Sequence, residues 1–183
     1  MDPFSTHLNL MGKIFEFKDI KTSLEFGMGN FSTQFLINNT KDKVTSIEMQ
    51  FQNWFDEINT KFSQNDKWKG ILSIGSHNVF DLKYEKKYDL VLVDGHVETR
   101  PECVNFSSSF CDTIVAHDTE AENVYGWSRV NLSEFYTFED RSNRPWTKVW
   151  SKDKSLIEFL KKEIQTPDFY KCYLDSANTI ELN

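Results

Sequence analysis

Residues 88–94 read Tyr-Asp-Leu-Val-Leu-Val-Asp and close on Gly95. The run from Leu90 to Val93 offers no polar face, so a strand built from it must be covered on both sides. Strands of that kind belong to parallel sheets with helices above and below. The rest of the chain supplies such helices. Aromatic and aliphatic residues recur at Phe51, Trp54, Phe55, Ile58 and Phe62, a spacing that predicts a helix over 49–62. Phe31 and Phe35 predict another over 31–38.

Further strands are predicted at 22–26, 43–48, 69–75 and 113–116, and further helices at 98–110, 124–135 and 155–164. Strands at 136–139 and 147–150 flank an Arg-Ser-Asn-Arg-Pro turn and form an antiparallel hairpin at the sheet edge. This alternation predicts an α/β fold: a Rossmann-like, doubly wound, mostly parallel sheet in three α/β/α layers. The 183 residues fit one domain, with a core over about 20–150 and a C-terminal helix and tail over 151–183. Sixteen phenylalanines give a chain of this size enough bulk to close its core.

Charge narrows the partners. The net charge is −7, and the lysines and arginines are scattered, with no basic stripe. Nucleic-acid binding through phosphate neutralisation is therefore not expected. No apolar run approaches the roughly 20 residues of a membrane span. The N-terminal segment lacks the charged and apolar regions of a secretory leader. Cys103, Cys111 and Cys172 are odd in number and show no Cys-x-x-Cys spacing, which fits reduced thiols in a cytoplasmic compartment. A small-molecule substrate is the expected partner, and homo-oligomers are compatible with this reading.

Two motifs carry ligand chemistry. Glu25-Phe-Gly27-Met-Gly29-Asn-Phe-Ser32 follows a predicted strand and opens a predicted helix. Glycines there let backbone approach a ligand, and the helix start offers free N–H groups. Ser32 stands where a dinucleotide fingerprint has its third glycine. Glu48 ends the next strand, where a carboxylate can accept both hydrogen bonds of a ribose diol. The second constellation is Asp94 with His117 and Asp118, at the ends of the fourth and fifth strands. Ligands of open α/β sheets bind beyond the carboxyl ends of strands. Carboxylates and an imidazole can hold a divalent cation such as magnesium or manganese. Without a metal, His117 or His96 is the natural general base. Arg100 can orient an anionic substrate or form a salt bridge, and Tyr125 and Trp127 can line an acceptor pocket or belong to the core.

In this order, the acidic glycine loop, Glu48 and the Asp94 strand resemble class I S-adenosylmethionine-dependent methyltransferases over roughly residues 20–150. The resemblance implies that Glu25, Gly27 and Gly29 face the methionyl part of the cofactor. It implies that Glu48 binds the ribose and that Ser76, His77 and Asn78 lie near the adenine. A negative Glu25 suits the cofactor amine and not a pyrophosphate, which sets this reading apart from a nicotinamide dinucleotide enzyme. Asp94, His117 and Asp118 are similar to the metal site of catechol-type and sugar O-methyltransferases, with His117 in place of the usual first member of the pair. The implied activity is O-methyl transfer to a small hydroxylated acceptor, a sugar-like ring being favoured. The alternative is a non-catalytic S-adenosylmethionine-binding or assembly module on the same fold.

Overall fold

The computed structural model describes residues 5–164. Seven strands form one sheet: β1 (Thr22–Phe26), β2 (Lys43–Glu48), β3 (Trp68–Leu72), β4 (Leu90–Val93), β5 (Thr113–His117), β6 (Tyr136–Asp140) and β7 (Thr147–Ser151). Their order is β3-β2-β1-β4-β5-β7-β6. β1 to β5 run parallel, and β7 is antiparallel to both β5 and β6. The expected hairpin is present, and its second strand inserts between β5 and β6.

β4 shows why a wholly apolar strand was required. Leu90 and Leu92 join one core and Val91 and Val93 the other. The first core packs under α1 (His7–Phe17), α2 (Ser32–Asn39), α3 (Gln52–Phe62) and α6 (Lys154–Glu163). The second packs under α4 (Arg100–Ser107) and the turns at 78–81 and 127–129. No helix among the described residues is long and apolar enough to cross a membrane.

Three elements differ from expectation. α1 was not anticipated, although Leu10, Met11 and Ile14 lie on one helical face and are wholly buried. The helix expected over 124–135 is only α5 (Glu122–Tyr125) followed by a 3-10 turn. Gly126 takes φ 69° there and ends the helix in a left-handed cap. Phe51 lies before α3, 64% exposed, and not on its buried face. The C-terminal tail from residue 165 lies outside the described residues.

The chain winds from β1 outward to β3, then returns through β4 to β5 on the other side of β1. The switch point lies between β1 and β4, where their carboxyl ends open a crevice.

Candidate functional site

At the switch point the loop after β1 presses on the end of β4. Gly27 has φ 86°, and a Cβ there would sit 2.4 Å from the Asp94 carbonyl oxygen. Gly27 N–H donates to Ile47 O at 2.8 Å, and Asp94 N–H donates to Phe26 O at 2.8 Å. Gly27 is therefore demanded by the packing of two strand ends as well as by any ligand. Gly29 has no positive φ, and a Cβ on it would meet only Ser32 Oγ, at 3.0 Å.

Glu25 lies beneath this loop, fully buried, and does not line the cleft. Thr33 Oγ1 donates to its Oε2 at 2.6 Å, and Gly29 N–H donates to the same hydroxyl at 3.0 Å. Glu25 thus holds the loop through Thr33. Burial pushes its carboxyl up to about 7, against the pull of the Ser32, Ser46 and Thr33 hydroxyls.

Two adjoining clefts share Gly27, Met28, Trp54 and Asp94. One, of about 380 Å³, adds His7, Gly29, Asn30, Phe31 and Ser32. The other, of about 290 Å³, adds Glu48, Gln50 and Phe51. Glu48 Oε1 accepts from the Gln50 and Phe51 amides at 2.7 and 3.0 Å, while Oε2 accepts nothing from the described residues. Trp54 Nε1 donates to Met28 O at 2.7 Å, which pins the loop to α3. Phe31 and Phe51 stand exposed at the rim. Ser76 and His77 bond to each other at 3.0 Å and line neither cleft.

Asp94, His117 and Asp118 do converge at the strand ends, and a fourth residue ties them together. Buried Arg100 donates from Nη1 to Asp118 Oδ2 at 2.6 Å, and its Nη2 lies 2.9 Å from Asp94 Oδ1. Its remaining N–H groups reach the Gly95 and His117 carbonyls, and its guanidinium covers the Tyr125 ring at 4.4 Å. Asp118 adopts φ 60° and is braced by Tyr125 Oη on Oδ2 and Trp127 Nε1 on its carbonyl. Tyr125 and Trp127 therefore support the site from behind. Burial alone would raise the Asp94 carboxyl. The adjacent His117 ring and the charge of Arg100 outweigh it and hold Asp94 below the usual range. His96 instead accepts the Glu98 amide through Nδ1.

His117 is almost wholly buried behind Asp94, its Nδ1 3.4 Å from Asp94 Oδ2 and 3.7 Å from Asp118 Oδ1. On the far side of the ring Nε2 lies 2.8 Å from Thr6 Oγ1. The Thr6 hydroxyl also donates to Pro145 O at 2.9 Å. That carbonyl can only accept, so the single hydroxyl proton is committed and Nε2 must carry the proton it shares with Thr6. His7, at the start of α1, packs edge-on to His117 with ring centroids 4.9 Å apart. It is buried, neither ring nitrogen has a hydrogen-bond partner among the described residues, and burial pushes its pKa down to about 4. Sequence reasoning missed His7, Phe31, Phe51 and Trp54 as site residues. Trp54 and Phe51 were visible only as members of an apolar stripe, and nothing near His7 in sequence signals a site.

No sequence-family model matches this chain, and no curated protein matches it. Solved structures do resemble it in fold. The O-methyltransferase TomG from Streptomyces achromogenes, in complex with S-adenosylmethionine, aligns over 84% of this chain and 81% of its own, with a TM-score of 0.62 and 13% identity. An O-methyltransferase from Bacillus cereus, in complex with S-adenosylhomocysteine, aligns over 83% and 82%, with a TM-score of 0.63 and 15% identity. The S-adenosylhomocysteine-bound methyltransferase PaMTH1 of Podospora anserina gives 83%, 81%, 0.61 and 16%. The chain thus has the fold of these methyltransferases.

Proposed function

We propose that this protein is an S-adenosylmethionine-dependent O-methyltransferase acting on a small hydroxylated acceptor. The observation that carries the reading is the cleft at the β1/β4 switch point, with the glycine loop on one wall and Glu48 Oε2 unclaimed on the other. The residues fit the cofactor. A ribose diol finds an acceptor in Glu48, and the loop from Gly27 to Gly29 lines the larger cleft. S-adenosylmethionine, when bound, supplies an electrophilic methyl group.

The chain's own contribution is positioning. Asp94 faces both clefts and is held ionised, so it can accept the hydrogen bond of an acceptor hydroxyl and aim its oxygen. His117, Asp118 and Arg100 act through Asp94, fixing its carboxylate from behind. The exposed faces of Phe31 and Phe51 suit the flat apolar side of a ring, which favours a sugar-like or aromatic acceptor. A non-catalytic cofactor-binding module is favoured by one observation: Arg100 already neutralises the Asp94 and Asp118 pair.

Calorimetry with S-adenosylmethionine and S-adenosylhomocysteine tests the cleft. Both should bind one to one, and Glu48→Gln, which keeps an oxygen for the Gln50 and Phe51 amides, should weaken them about ten- to a hundredfold. Labelled methyl transfer to a panel of hydroxylated acceptors then separates enzyme from module. No binding of either compound would remove both readings.

A further inference from the structure

His117 presents an unusual gap. With Nε2 protonated toward Thr6, a neutral ring points a bare Nδ1 lone pair at the Asp94 carboxylate, 3.4 Å away. Two acceptors do not face each other at that distance unless something positive lies between them. A proton on Nδ1 would satisfy this pair and leave His7 unexplained. His7 is buried beside it, with two ring nitrogens that bond to nothing among the described residues. Burying such a group without partners is costly, and a native chain seldom keeps one without a use for it. One ligand atom from each of His7, Asp94 and His117 lies within 4.8 Å of the other two. Ligands of a tetrahedral zinc ion, bound at about 2.0–2.1 Å, sit roughly 3.3 Å apart. The Asp94–His117 pair already has that spacing.

We propose that His7, Asp94 and His117 bind one divalent transition-metal ion of the zinc class, at the end of the cleft where the acceptor hydroxyl would sit. Asp118 is not a ligand in this site. It falls outside the group formed by His7, Asp94 and His117, and its Oδ2 is taken by Arg100 and Tyr125. Two imidazoles and one carboxylate suit zinc, cobalt or iron, whereas magnesium and calcium want a shell of oxygens. The Thr6 hydroxyl fixes the His117 tautomer, as outer-shell partners of metal-bound imidazoles do. Asp94 and His7 line the larger cleft, so an open coordination position would face it. The role in catalysis rests on the methyl-transfer reading; the binding of the ion does not.

The test uses the full-length chain, stripped with a chelator and dialysed. It is titrated with zinc by calorimetry and with cobalt(II) by visible absorption at neutral pH. One equivalent should bind, cobalt should show the intense ligand-field bands of low coordination number, and excess magnesium should not compete. His7→Leu and His117→Gln should each weaken zinc about a hundredfold or more. In chelator His7→Leu should melt no lower than wild type, because the unpartnered ring contributes no hydrogen bond to the metal-free fold. Absence of zinc binding, wild-type affinity in His7→Leu, or a lower melting temperature of metal-free His7→Leu would each overturn the site. Cofactor calorimetry in chelator reports on the cleft alone, so failure of the metal site and failure of the methyltransferase reading are told apart.

Discussion

Arg100 shows how one side chain can decide a site's electrostatics. Its carboxylate partners come from two strand ends, and its guanidinium is nearly buried between them. Removing one member of such a group leaves an uncompensated charge in a poorly solvated place. Arg100→Met should therefore cost about 3 kcal/mol in denaturant unfolding, and adding Asp118→Asn should recover part of it. Strict additivity of the two changes would contradict the coupling. Glu25 gives the opposite case. Its folded pKa of about 7 lies above the ordinary 4.5, so the folded state holds a proton that the unfolded state gives up. Its stabilising contribution is complete below about pH 4.5 and is lost as pH rises through 7. Glu25→Gln keeps an acceptor for Thr33 and removes the titration. Between pH 5 and 8 the wild type should lose up to about 3 kcal/mol relative to this variant. Parallel pH–stability curves for the two proteins would show that Glu25 is ionised in the fold.

Among the elements, what was legible depended on whether the signal was local. β1 and β2 were read to the residue because each ends on a motif residue, Glu25-Phe26-Gly27 or Glu48. β4 was read from its unbroken apolar run, although its described bounds are shorter. The α5 region was overextended because Gly126 sits inside an otherwise helical-looking stretch, and its left-handed φ became apparent only in the fold. α1 carries an apolar face, but its importance comes from Thr6 and His7 meeting His117, with Thr6 and His117 111 residues apart in sequence. No short-range pattern encodes such a meeting. The same distinction separates the two glycines. Gly27→Val would unfold the strand ends whatever the loop binds, since Asp94 backbone occupies the space. Gly29→Ala meets only the Ser32 hydroxyl and needs no positive φ. It should fold with a loss near the roughly ±0.5 kcal/mol of a neutral substitution. It should still weaken S-adenosylmethionine about tenfold by crowding the cleft wall, a change read by calorimetry. Unchanged affinity in the folded variant would move the cofactor away from this loop.

Across the whole molecule, the cleft depends on pieces from both ends of the described chain. α1 packs its Leu10, Met11 and Ile14 into the core that also receives Leu156, Ile157 and Leu160 of α6. β6 and β7 extend the same sheet and close that core with Phe138 and Val149. A helix seated on this much shared apolar surface should not open by itself, because local opening would expose the α6 face as well as its own. Amide hydrogen exchange is therefore expected to show α1 protected to within about 1 kcal/mol of β4, in one cooperative unit. Leu10→Ala, which empties a fully buried position, should cost about 3 kcal/mol and lower the melting temperature by roughly 6–12 °C. It should lower protection in β4 as much as in α1. If α1 instead exchanged freely while β4 stayed protected, His7 would be delivered to the site only part of the time. Affinity for a ligand contacting His7 would then fall in proportion to the time α1 spends undocked.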